Sequence, residues 1–190
     1  MEQETLGRRG LLRWGVFASV AGLLWPRRLE AASSSSPAAG GQPAFGPLVA
    51  GTYLLAVQHD GFPVLALALV TLTRDGGFIA NDTSDQGGFP GTTKDGPVQG
   101  SWSQVGPRQI AARTLYFAFD PNGIPKWIAR TTGQFEFDPN FNSGSGSLLV
   151  ERFAIGEDGG VAEGADPLDP DAVPHDSLNA TFTARRVTVP

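Results

Sequence analysis

The chain has 190 residues, 14 of them basic and 19 acidic, a net charge of −5 and no cysteine. Without cysteine there is no disulfide framework, no thiolate zinc site and no cysteine nucleophile. Residues 1–32 carry five arginines against three glutamates, which leaves nine basic and sixteen acidic residues beyond them, a balance that repels phosphate backbones and anionic membrane surfaces and excludes a nucleic-acid partner.

Once an amino-terminal targeting segment is set aside, roughly 150 residues remain, the size of one domain with a single core. Gly7-Arg8-Arg9-Gly10-Leu11-Leu12-Arg13 resembles the twin-arginine export motif: two arginines, a spacer, two apolar residues and a basic residue. The apolar stretch from Trp14 to Trp25 falls short of the ~20 residues that a membrane-spanning helix needs. The resemblance implies a signal segment over residues 1–32, with Arg8 and Arg9 read by the twin-arginine translocation machinery, and a periplasmic or extracellular destination. Residues 33–47 are rich in Ser, Pro, Ala and Gly. They bury too little apolar area to offset chain entropy and read as a flexible linker. The folded domain is expected to span residues 48–190.

From Leu48 onward, apolar and β-branched runs are punctuated by Gly, Pro, Asn and Asp, and no segment sustains a 3.6-residue apolar period. The pattern predicts an all-β domain with strands near 51–58, 63–73, 77–83, 97–105, 109–119, 125–137, 146–156 and 178–188. Asp60-Gly61 and Asp75-Gly76-Gly77 supply the positive φ angles of tight hairpins, and Gly106-Pro107 and Asp120-Pro121-Asn122-Gly123 mark later turns. Eight strands with mostly short links suit an antiparallel up-and-down barrel, because closure removes exposed edges. A two-sheet sandwich is the competing architecture.

Three features of this pattern resemble bacterial lipocalin-like, calycin-type barrels. The first strand opens with Gly51-Thr52-Tyr53, where lipocalins carry Gly-x-Trp. A hairpin reads Thr71-Leu72-Thr73-Arg74-Asp75-Gly76-Gly77-Phe78. Then Pro97-Val98-Gln99-Gly100-Ser101-Trp102 looks like a Gly-x-Trp strand. The resemblance implies a barrel that holds a small hydrophobic molecule. Some related barrels act as cyclases or isomerases on unsaturated substrates. A barrel packed solid, serving a structural or interaction role, is the third reading.

Period-two alternation sorts the faces. Trp127, Ala129, Thr131, Gly133, Phe135 and Phe137 share one face and are expected inward, as are Val98, Gly100 and Trp102, and Ala180, Phe182 and Ala184. The strand at 63–73 is apolar on both faces, which predicts that a terminal segment or a second copy covers the outer one, a homo-oligomer in the latter case. On 109–119, Leu115, Phe117 and Phe119 compete with Thr114, Tyr116 and Ala118 for the interior.

The rings of Tyr53, Trp102, Tyr116, Trp127, Phe135 and Phe182 are the expected ligand-binding residues. Glu151 alternates with Leu149, Phe153 and Ile155. If that face is the inner one, Glu151 joins the ligand site as a desolvated carboxylate and, with Tyr116, supplies the acid–base pair of any cyclase or isomerase. The alternative is a pairing with Arg130 or Arg152. His59 and His175 lack metal-binding spacing and are expected exposed. The acidic loop Gly156–Asp176 reads as a solvated lid rather than a calcium site, and Ser84–Gly96 as a second lid. With no Gly-rich phosphate loop, no cofactor is implied.

Overall fold

The computed structural model describes residues 44–63, 65–83 and 94–189. The signal segment at 1–32, with Arg8 and Arg9, lies outside these residues. So do the linker through residue 43 and most of the loop at 84–96.

Residues of high β-propensity, broken by turn formers, fold into nine strands. They are β1 (Gly51–His59), β2 (Leu65–Leu72), β3 (Gly77–Asp82), β4 (Lys94–Asp95), β5 (Val98–Gly106), β6 (Gln109–Phe119), β7 (Pro125–Phe137), β8 (Ser143–Ala154) and β9 (Asp176–Arg186). The strands pair antiparallel in chain order, and β9 returns to β1, with Val57 opposite Phe182. The short β4 lies end to end with β5 along β6: Asp95 pairs with Ala118, and Gln99 with Leu115. Gly96-Pro97 interrupts them, where proline has no N–H to give the ladder. The result is a closed antiparallel barrel of eight staves, and the sandwich is set aside.

The first six strands begin and end within two residues of their expected bounds. The last, β9, is shifted two residues early, and β8 begins three residues early because Gly144 and Gly146 are ladder residues rather than turn residues, paired with Phe137 and Phe135. Glycine is needed at 146 for space: a side chain there would meet the Gln134 carbonyl at 1.9 Å and the Phe182 ring at 2.5 Å.

One end of the barrel is plugged. The linker expected to run through residue 47 stops at Phe45, where a short helix, α1 (Phe45–Val49), begins. Phe45 packs edge-on against Trp102 and Phe141, and Val49 is fully buried. The Tyr53 hydroxyl shares its proton between the carbonyls of Val49 (3.0 Å) and Phe141 (3.2 Å). Burial pushes that phenol above its ordinary value, more than the nearby Arg186 guanidinium draws it down. Arg186 donates to the carbonyls of Leu48 (2.9 Å), Phe141 (3.4 Å) and Ala50, and its guanidinium lies over the Tyr53 ring at 5.7 Å. Gly51 (φ 151°) keeps this arrangement open, since a side chain there would stand 3.0 Å from the guanidinium. The β2–β3 hairpin is tied in as well: Trp102 donates its indole N–H to the Thr73 carbonyl (3.1 Å) and its backbone N–H to the Gly76 carbonyl (2.7 Å). Above the plug, Phe135, Phe137 and Phe182 pack ring on ring. Each buried ring contributes about 1.5–3 kcal/mol of apolar burial.

Candidate functional site

Above that aromatic floor the barrel is not filled. A cavity of about 190 Å³ lies between the strands. Its walls come from the inward face of nearly every stave, and the small residues Ala66, Ala68 and Ala80 create the room. Leu55, Val70, Phe78, Leu148 and Val150 make the walls apolar. Thr114 and Thr131, partners across β6 and β7, also border the cavity.

The end opposite the plug is polar. His59, Asp82, Asp95, Tyr116, Arg152 and Asp176 all border the cavity there. The Arg152 guanidinium is held in a fork by Asp176, Nε to Oδ1 at 2.6 Å and Nη2 to Oδ2 at 2.5 Å. That hydrogen-bonded carboxylate raises the Arg152 proton affinity further, against the opposing effect of burial. Burial lowers the His59 proton affinity, and the nearby Asp82 and Asp60 carboxylates oppose that shift without cancelling it. Burial therefore favours the neutral form of the His59 imidazole.

Of the seven expected ligand-binding residues, Tyr116 and Phe135 border the cavity. Tyr53, Trp102 and Phe182 point to the interior but lie below it, in the plug and the aromatic floor. Trp127 stands at the rim, stacked on the His175 ring at 4.5 Å with the Lys126 ammonium 5.3 Å away.

Glu151 is the main correction. β8 turns the other face inward: Leu148, Val150 and Arg152 border the cavity, and Glu151 lies on the outer wall. There the alternative expectation is met, because Arg130 Nε donates to Glu151 Oε2 at 2.9 Å. Arg130 also donates to the carbonyls of Pro167 (2.8 Å) and Asp169 (3.1 Å) and lies over the Phe153 ring at 4.7 Å. The acidic loop is thus clamped against the outside of β7 and β8. Phe153 is fully buried beneath Arg130, which is why the outer face of β8 mimics a core face in sequence. Glu151 and Tyr116 stand on opposite sides of the wall, and the acid–base pair expected of them does not assemble.

The histidine expectation is also corrected at one position. His175 is exposed, but His59 is half-buried at the cavity edge. The aspartates of the acidic loop serve their own turns: Asp158, Asp166 and Asp169 each accept a backbone N–H two residues on, at 2.9–3.0 Å. Among the described residues no group of three His, Asp or Glu side chains is placed to hold a metal ion. The ambiguous strand β6 turns Thr114, Tyr116 and Ala118 inward and leaves Phe117 on the surface. Known protein families, curated proteins and solved structures offer no match to this chain.

Proposed function

We propose that the chain is exported by the twin-arginine signal and acts outside the cytoplasm as a lipocalin-like barrel that binds a small hydrophobic molecule. The observation that carries this reading is the apolar cavity, walled by the barrel and edged with polar groups at the end away from the plug. Empty apolar space of this size costs packing energy, and a barrel serving as a solid scaffold gains nothing from it. The pairing of Glu151 with Tyr116 lends no support to a cyclase or isomerase, because Glu151 lies outside the cavity, bound to Arg130.

A second element of the proposal is self-association through β2. Leu65, Leu67 and Leu69 are about half exposed in a row, with Ile79 beside them on β3. An apolar strip of this kind on a sheet surface suits a second copy of the same face, related by a twofold axis.

Native mass spectrometry of the mature domain purified from its own host tests both points. The expected spectrum is a dimer carrying a solvent-extractable hydrophobic compound. An empty protein whose melting temperature does not rise in the presence of a library of lipophilic compounds would overturn the carrier reading. A monomer at micromolar concentration would overturn the dimer.

A further inference from the structure

The outer wall of the barrel divides into two unlike halves. On β5, β6 and β7 the outward positions carry charge, Arg113, Lys126, Arg130 and Glu136 among them. On β3, β2, β1 and β9, and along β8 as far as Leu149, the only charged outward side chain among the described residues is Arg185, at the plugged end. The sequence beyond residue 32 holds nine basic and sixteen acidic residues, so the uncharged half departs from the composition of its own chain. Depletion of charge sets the core of a protein interface apart from the rest of a surface.

The uncharged half is also uneven in relief. Ala56 on β1 pairs with Leu67 on one side and Thr183 on the other, and Gln58 pairs with Leu65 and Thr181 in the same way. One flank of β1 is therefore a row of half-exposed leucines. The other flank is low ground, where Ala56, Ser145, Thr181 and Thr183 line a shallow hollow. A standard interface buries ~800 Å² on each partner, roughly 20–30 residues a side. Leu65, Leu67, Leu69 and Ile79 are too few to supply that area, and the hollow beside them adds to it without burying a charge.

A twofold axis requires the face to complement itself. An axis laid along β2 sets leucine against leucine and leaves the hollow empty. An axis laid along β1 sets the leucine row of each copy over the hollow of the other, level with level. We propose that two copies pack in this second way, with Leu65 and Leu67 of each seated against the partner's Thr181 and Thr183. This packing rests on the self-association reading and gives it a geometry. Rotation about an axis along β1 keeps the strand direction, so both cavities open toward the same end of the dimer and both plugs lie at the other.

The chain has no cysteine, so introduced ones report the packing directly. Within one copy, Leu67 and Thr183 lie two strands apart, roughly 9–10 Å, beyond the ~7 Å that a disulfide spans. The L67C/T183C variant of the exported protein, oxidised at micromolar concentration, is expected to run as a covalent dimer on a non-reducing gel, and L67C or T183C alone as a monomer. Either single variant crosslinking as fully as the double would overturn this geometry while the dimer stands. So would the absence of any crosslink in a protein that light scattering shows to be dimeric. A monomer by light scattering overturns both readings. As a second measurement, Thr183→Lys should weaken the dimer about a hundredfold in sedimentation, because the symmetry buries the new charge twice, while Ser103→Lys on the charged half leaves it unchanged. A Thr183→Lys protein that dimerises like the wild type would overturn the packing.

Discussion

At the plugged end of the barrel, side chains gather backbone carbonyls; at the other end, charged side chains face one another around a cavity. The same strands build both. Along β9 the inward face runs from Asp176 through Leu178, Ala180, Phe182 and Ala184 to Arg186. The two charged ends of this one row have different partners. Arg186 binds carbonyls of α1 and its flanks, groups that have no other use once the helix stops after five residues. Asp176 binds Arg152, a side chain that could turn to other partners. Fixed backbone partners make an end rigid, and exchangeable side-chain partners leave an end able to admit something.

This contrast can be broken, most severely at Arg186. An Arg186→Met substitution leaves buried carbonyls without a charged donor and should cost on the order of 3 kcal/mol. That corresponds to a fall of about 10 °C in melting temperature for a domain of this size, read by circular dichroism. A smaller change is expected for Tyr53→Phe, about 1 kcal/mol. Because the folded phenol titrates above its ordinary value, the Tyr53 contribution is fully present below pH 10 and is lost as pH rises through the folded value. The Phe variant should lack that alkaline loss. The smallest effect belongs to the open end. His59→Gln should change stability at pH 8 by less than about 0.5 kcal/mol. The wild type should lose stability as pH falls below 6.5, the ordinary histidine value, since the unfolded chain takes up a proton that the half-buried imidazole resists. Chemical denaturation from pH 8 to pH 5 should show a flatter profile for the Gln variant. If His59→Gln costs as much as Arg186→Met, the two ends do not differ in rigidity.

Much of the barrel was legible from alternation and turn residues. β7 declared its inner face because Ala129, Phe135 and Phe137 alternate with Arg130, Gln134 and Glu136. The site was less legible, for two physical reasons. A cavity takes polar residues, so Thr114 and Tyr116 face inward while Leu115 and Phe117 face out, the reverse of what a solid core would select. And a loop can cover an outer wall, so Phe153, Leu149 and Ile155 on β8 carry the apolar pattern of a core face without being one. The signal that could have resolved β8 was Arg130. The inner face of β7 was clear, so Arg130 had to point outward, and its cross-strand partner on β8 is Glu151. Cross-strand charge pairing carried the phase that hydrophobicity concealed.

The seam between β1 and β9 joins Tyr53 to Arg186, near the two limits of the domain. No other strand pair is so far apart in sequence, and closing that loop carries the largest entropy cost of any contact in the sheet. The barrel therefore cannot close on the ribosome until its final strand has emerged. Until then β1 and β8 present open edges, and the apolar row of β2 has only a partial sheet behind it. The barrel depends on rapid completion of the eleven residues of β9 to escape the interval in which such edges pair with the wrong partner.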